Sequence, residues 1–415
     1  MQVLKSREFD MKQLFIFKEC IGSSNNGVGT YIKQLILLLS DFDVSINILC
    51  FNSKSDFFSI EKKENITYFY FPSFNDKRIN SHALIIEKFF RLYIRDSVNN
   101  IFLFNYSPSS LLMKTIRKSH PLSMQIYVIH DMGWTTHLFG DVQKYICILK
   151  QYKEKKISRK HSAVLDSFLE EIEMCRHADR IISLSEDTFN LLTNYYPIQK
   201  DKLFLIPNVL IQTVRPYSTL KKKNFKEKKL FRSDEKIILY VGRMVAQKGI
   251  FVYIEAFKEI VKEYPHCKLV IVGPPVDFNN MLKKCYPILT HIHFTGLISF
   301  DELKKWYEIA DMGILPSYTE QCSFVGLEMM AHKIPIIASD GFGVRCMFNE
   351  QNAKIARIGN RSSIKYFKNE LIKSTVEILS LLNNKNKDTI TEDIVIPNTS
   401  NIVKVKLLYK NCFNL

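Results

Sequence analysis

Glycine is scarce in this chain, with 14 in 415 residues, about half the roughly 7% usage of ordinary proteins. Each glycine is therefore a positional signal, and Gly242, Gly249, Gly273, Gly341 and Gly343 stand just after strand-like runs or at helix entries. Long apolar runs are also missing. Stretches such as "LVIVG" (Leu269–Gly273) fall far short of the roughly 18 residues of a membrane span. The opening "MQVLKSREFDMKQLFIFK" carries Lys5, Arg7, Glu8, Asp10 and Lys12 and lacks the apolar core of a secretion signal, so a cytoplasmic protein is expected. The nine cysteines form no C-x-x-C pair and no ligand-like spacing, which suits free thiols in a reducing compartment. The phosphate-cradling order G-x-x-x-x-G-K-[ST] is absent.

What the chain has is length, apolar content and positive charge. At 415 residues and 46% hydrophobic content it is read as two domains. The formal charge of +16 admits phosphate-rich partners: nucleic acid, an anionic membrane face or a nucleotide substrate. The densest run, "LKKKNFKEKKLFR" (Leu220–Arg232), has little aromatic interleaving and no nucleic-acid fold signature, which argues against nucleic acid. A solvated helix face is the plain reading of that run. Peripheral contact with the anionic inner face of a cell membrane is the next.

Short apolar runs alternate with helical patterns throughout, the mark of parallel sheets with crossover helices. Strands are expected at "QLFIF", "SINILCF", "ITYFYF", "IFLF", "QIYVIH", "RIISLS" and "LFLIP" in the first half. In the second they are expected at "KIILYVG", "KLVIVG", "IHF", "MGILP" and "PIIAS". Ile250, Ile254, Phe257 and Val261 make one apolar helix face, and Ser299 with Glu302 reads as a capping box. The fold class is α/β: two doubly wound Rossmann-like domains facing across a cleft. The domains are placed at residues 1–212 and 213–385, with 386–415 as a polar C-terminal extension, the stretch from about Asn384, "NKNKDTITEDIVIPNTSN", marking the change.

"YVGRMVAQKG" puts Arg243 just after a strand and Lys248 at a helix start. Two cations beside helix N–H groups can make an anion site, although exposed loop cations are an equal reading. In "PSYTEQCSFVGLEMM", Glu320 follows a strand, and a helix is expected to start near Ser323. Its free N–H groups near Phe324 and Val325 would favour phosphate. Glu328, one turn in, would reach the ribose of a nucleotide, and Glu320 the group beyond the diphosphate. A hydrolytic pair is disfavoured, because a carboxylate flanked by cations is a poor acid, whereas cations suit a departing phosphate.

These two segments closely resemble the retaining glycosyltransferases of family 4, which have the GT-B fold. The family's pattern is an arginine and a lysine on the donor diphosphate and a Glu-x-seven-Glu motif on the nucleotide sugar. It implies that Arg243, Lys248 and Glu320 carry catalysis and that Glu328 binds the donor, beside the substrate-binding helix start already read at Ser323, Phe324 and Val325. More loosely, "NNGVGTYIKQL" implies a glycine loop at Gly27 and Gly29, and "YVIHD" a sugar contact or a structural histidine at His130. The chain departs from the pattern at His332 and Lys333, where a glycine is common, and near Arg345, where a glutamate is usual.

The resemblance implies a metal-independent, cofactor-free transferase moving a sugar from a nucleotide-diphosphate donor to a sugar, lipid-linked or other hydroxyl acceptor. A nucleotide-sugar epimerase of the same fold and an inactive GT-B module docking on a membrane or partner are the alternatives. Asp41-Phe42-Asp43 spells a metal-binding D-x-D but falls at the wrong end of a strand and reads as a turn. His291 and His293 lack a third ligand, and Ser185 reads as a helix cap.

Overall fold

The computed structural model describes residues 11–19, 27–73, 79–105, 109–156, 158–211, 217–275, 277–359, 363–384 and 399–415. The chain divides into two compact units. One holds Met1–His137, Gln143–Ile211 and Thr399–Leu415, the other Leu138–Val142 and Gln212–Asn398.

The first unit is built on β1 (Lys12–Glu19), β2 (Val44–Ser53), β3 (Ser59–Lys63), β4 (Ile66–Pro72), β5 (Asn100–Phe104), β6 (Met124–Ile129), β7 (Arg180–Ser183) and β8 (Leu203–Leu205). Their order is β3-β4-β2-β1-β5-β6-β7-β8. All neighbours are parallel except the β3–β4 hairpin. Helices cover strands of this kind on both faces, so β1 and β5 are nearly continuous apolar runs with Leu14, Ile16, Phe17 and Ile101–Phe104 fully buried. Phenylalanine does much of the packing: Phe17 stacks on Phe104 with centroids 4.1 Å apart and on Phe51 at 5.5 Å.

The second unit has β9 (Lys236–Val241), β10 (Cys267–Val272), β11 (Ile292–Gly296), β12 (Met312–Leu315), β13 (Ile336–Ser339) and β14 (Lys354–Ala356). The order β11-β10-β9-β12-β13-β14 is all parallel. The chain thus winds outward from β9 in one direction and from β12 in the other. The strand order reverses between these two strands, and it is at the carboxyl ends beside such a reversal that open α/β sheets bind ligands. The expected helices form as Ile250–Glu263, with its apolar stripe buried, and Phe300–Ile309, whose cap Ser299 accepts from the amide of Glu302 at 3.2 Å.

The α/β doubly wound class is as expected. Two edge strands were not foreseen: β3, whose "SIEKK" is mostly solvated and turns back through Glu64 at φ +54°, and β14, only three residues long. Gly27 and Gly29, expected in a loop, form the first turn of the helix Gly27–Leu38. Asp41 is a turn residue as expected, and its carboxylate accepts from Lys406.

The region 386–415, expected as a polar extension, ends instead in a helix, Thr399–Phe413, that belongs to the first unit. Val405, Tyr409, Cys412 and Phe413 recur at helical spacing and are buried, a stripe masked by the lysines between them. Tyr409 donates to the hydroxyl of Tyr31 at 2.9 Å. Arg180 donates to the terminal carbonyl of Asn411 at 2.8 Å, and its charge suits the negative helix end.

This predicts that Tyr409→Ala lowers stability by about 3 kcal/mol in urea denaturation, as for other buried aromatic truncations. A change within about 0.5 kcal/mol, the size expected at a solvated surface position, would contradict the packing.

Candidate active site

The loops that follow β9, β12 and β13 meet in the second unit. Tyr318 N–H donates to the carbonyl of Gln247 at 2.9 Å, Phe342 N–H to the carbonyl of Tyr318 at 3.1 Å, and Glu320 N–H to the carbonyl of Phe342 at 2.9 Å. Strand-like pairing thus continues past the ends of β12 and β13, with Thr319 bridging Phe342. Two glycines let the backbones approach. A Cβ on Gly249 (φ +68°) would lie 1.9 Å from the carbonyl oxygen of Pro316, and one on Gly343 (φ +75°) would lie 1.8 Å from that of Glu320. No other residue type fits either place.

This junction sets Glu320 against Lys248. Lys248 Nζ lies 2.7 Å from Glu320 Oε1, and Ser317 Oγ donates to the same oxygen at 2.8 Å. The pair is partly sheltered, with side chains 24% and 12% exposed. Among the described residues Glu320 Oε2 accepts no hydrogen bond, and the ammonium, with three donors, keeps two to spare. Arg243, exposed on the β9 loop, is anchored through its backbone: Tyr240 Oη donates to its carbonyl at 2.8 Å. Burial pushes the Tyr240 phenol up, with Glu320 adding to the push and Arg243 opposing it.

The helix Phe324–Ala331 begins where expected. Its cap Ser323 accepts from the amide of Gly326 at 3.3 Å, and the amide of Ser323 itself donates to Met347 Sδ at 3.0 Å. Phe324 is buried and Val325 partly exposed. Glu328 is on the inner face, 6% exposed, with Oε2 accepting from Tyr307 Oη at 2.6 Å. Burial pushes its carboxyl up to about 7 against the pull of the Tyr307 hydrogen bond. The two glutamates therefore differ in kind, one ion-paired and one buried against a phenol.

Arg243, Lys248, Glu320, the helix start at Ser323–Val325 and Glu328 thus all belong to the second unit, at or beside its sheet reversal. Gly27, Gly29 and His130 belong to the first. His130 Nε2 is 2.9 Å from Asn105 Oδ1, its ring is edge-on to Tyr31 with centroids 4.7 Å apart, and burial pushes it down to about 3. Burial favours its neutral form, and with Asn105 Oδ1 as partner Nε2 is the nitrogen that donates. Ser185 caps the helix Glu186–Tyr195, as expected.

Ser317, Tyr240 and Tyr307 were missed in the sequence: Tyr240 and Tyr307 are aromatics within apolar runs, and Ser317 reaches Glu320 three residues on through a loop geometry that no residue pattern announces. Leu138–Val142 was also missed; it joins the second unit, where Phe139 is edge-on to Tyr318 at 5.4 Å. Its signal was "FG", with Phe139 at φ +49° and Gly140 at φ +63°.

Residues 221–375 match the family described as Glycosyl transferases group 1. An uncharacterised glycosyltransferase of Methanocaldococcus jannaschii is 28% identical over 304 residues, 68% of this chain and 75% of that one. Among solved structures, sucrose-phosphate synthase from Thermosynechococcus elongatus superposes with a TM-score of 0.69 at 16% identity, over 97% of this chain and 99% of that one. Anabaena HepE, solved with UDP-glucose, gives 0.64 at 11% identity, over 97% and 100%. These likenesses give the expected GT-B fold.

Gly343→Ala should lower stability by about 2 kcal/mol or more, because the new Cβ must displace the Glu320 backbone and adopt a left-handed conformation. An unchanged melting temperature would contradict the close packing. A second test uses Glu328. A carboxyl whose native pKa is above its unfolded value holds its proton more tightly when folded. Its stabilising contribution is complete below the ordinary 4.5 and lost as pH rises through about 7. Glu328→Gln cannot ionise, so it should be more stable than the parent at pH 8, by up to about 3 kcal/mol, and nearly equal to it at pH 4. Equal stability at both pH values would show that Glu328 is not held in an apolar setting.

Proposed function

We propose that this chain, a glycosyltransferase of the GT-B fold, moves a sugar with retention of configuration from a nucleotide-diphosphate donor to an acceptor hydroxyl, as family 4 enzymes do. The observation that carries the reading is the ion pair of Lys248 and Glu320, 2.7 Å apart at the reversal of the second sheet, beside a Ser323-capped helix start. The UDP-glucose bound by HepE supports a nucleotide sugar as donor.

In this reading the spare donors of Lys248, the guanidinium of Arg243 and the first amides of the helix Phe324–Ala331 bind the diphosphate. They stabilise the charge that grows on it as the sugar–oxygen bond breaks. Glu320 offers Oε2 to the sugar hydroxyls, and Glu328 binds the ribose. The acceptor oxygen bonds to the anomeric carbon on the face the diphosphate leaves, and its proton passes to the departing phosphate oxygen. Arg243, Lys248 and Glu320 supply the charge this reaction needs, so we propose that it requires neither metal nor cofactor. His130, being uncharged, serves as a hydrogen-bonding group for a sugar hydroxyl. Gly27 and Gly29, opening their helix, keep substrate binding as their proposed role.

With a nucleotide-sugar panel as donors, Arg243→Ala combined with Lys248→Ala should lower kcat by about 10²–10³-fold, the effect of losing charge-stabilising donors. Glu320→Ala should still bind nucleoside diphosphate yet lose transfer. Proton NMR of the product should show the donor's anomeric configuration, and added chelator should leave the rate unchanged. An inverted product, an absolute need for manganese, or release of epimerised donor without a glycosylated acceptor would each overturn the proposal.

A further inference from the structure

The buried face of the helix Phe300–Ile309 carries polar groups among its apolar ones. Trp306, Tyr307, Glu308 and Ile309 are all buried, and two of these make specific bonds. Tyr307, 1% exposed, donates to Glu328 Oε2 at 2.6 Å. Its ring stacks on His332 with centroids 5.2 Å apart and planes at 29°. His332 Nδ1 is 2.9 Å from Glu308 Oε1. Glu308 Oε2 in turn accepts from the amide of Tyr217 at 2.9 Å and faces Lys222 Nζ at 3.4 Å. Burial would push the Glu308 carboxyl up, but His332, the Tyr217 amide and Lys222 outweigh it and hold it down at about 2. The Tyr307 ring is thus clamped by a stacked imidazole that an ionised carboxylate holds in place.

His332 and Lys333 stand where the resembled family commonly has a glycine. Lys333 adopts a left-handed backbone at φ +51° just after the helix Phe324–Ala331, while His332 provides the stacking surface. The departure from the pattern therefore has a structural use: it fixes the phenol that holds Glu328.

We propose that Tyr307 is a positioning residue for donor binding: by occupying Glu328 Oε2 it fixes the carboxylate in one rotamer and leaves Oε1 as the acceptor for the ribose hydroxyls. This inference rests on the role proposed above for Glu328. A carboxylate held from behind by a donor is oriented, and the hydrogen bond favours its charged form against the burial that opposes it. The titratable groups that face Glu328 in this packing are Tyr307 and, beyond its ring, His332 and Glu308 with Lys222.

The test is Tyr307→Phe, which keeps the ring and its stack, measured by calorimetric binding of uridine diphosphate and guanosine diphosphate across pH 6 to 9, alone and in a Glu328→Gln background. At pH 7 the variant should bind about tenfold more weakly than the parent, and the deficit should close toward pH 9 as Glu328 ionises again. In the Glu328→Gln background, with nothing left to ionise, the pH-dependent part should vanish. Equal affinity of Tyr307→Phe and parent at pH 7, or a loss independent of both pH and Glu328, would overturn the inference. Thermal denaturation without nucleotide judges the hold by itself: Tyr307→Phe should lose more stability at pH 8 than at pH 5, and an equal loss would also overturn it. A parent that binds neither nucleotide yet shows this pH-dependent loss would sink the proposed donor site while leaving the Tyr307–Glu328 hold standing.

Discussion

The second unit is organised around one junction, where the backbones after β9, β12 and β13 come so close that only hydrogen at Cα fits at Gly249 and Gly343. Buried peptide groups must find partners, and here they find them in one another. Gln247 receives Tyr318, Tyr318 receives Phe342, and Phe342 receives Glu320. The side chains that follow from this arrangement have little freedom. Glu320 meets Lys248 because their loops are joined by the Tyr318–Gln247 bond, one residue before Lys248 and two before Glu320, and Arg243 is held by the phenol of Tyr240 on the strand before it. Rigid placement of charge is what the stabilisation of a leaving diphosphate requires, since groups already oriented do not reorganise as the reaction proceeds.

The two carboxylates of the second unit illustrate how one residue type is put to two uses by its surroundings. Glu320 is partly exposed, paired with an ammonium and capped by a hydroxyl. Glu328 is eight positions later, buried, and its hydrogen bond comes from a phenol. The contrast follows from secondary structure: Glu320 is in the loop before the helix Phe324–Ala331, and Glu328 is on that helix's inner face, directed at the neighbouring helix Phe300–Ile309.

Much of this was legible in the sequence because it depends on local pattern. Parallel strands are short apolar runs, and twelve of the fourteen described strands were placed from those runs alone; β3 escaped because its "SIEKK" is charged and mostly solvated, and β14 because it has only three residues. The cap at Ser323 and the glycine at 249 announced themselves by residue type. The C-terminal helix did not, since its lysines dilute a stripe whose burial depends on Tyr31 and Arg180, more than 200 residues away. Tyr307 was hidden for a related reason: in the sequence it is one more aromatic on an apolar face, and only the fold shows that its hydroxyl meets a carboxylate. His332 was visible as a departure from the family pattern, without a partner to explain it.

The central claim is that the charges at the β9–β12 reversal hold a pyrophosphate. A crystal structure of the chain with a bound nucleoside diphosphate tests it most directly. The account predicts phosphate oxygens within about 3.2 Å of Lys248 Nζ and of the Arg243 guanidinium, with the amides of the helix Phe324–Ala331 turned toward them. A nucleotide bound elsewhere, with Lys248 still paired only to Glu320, would contradict it.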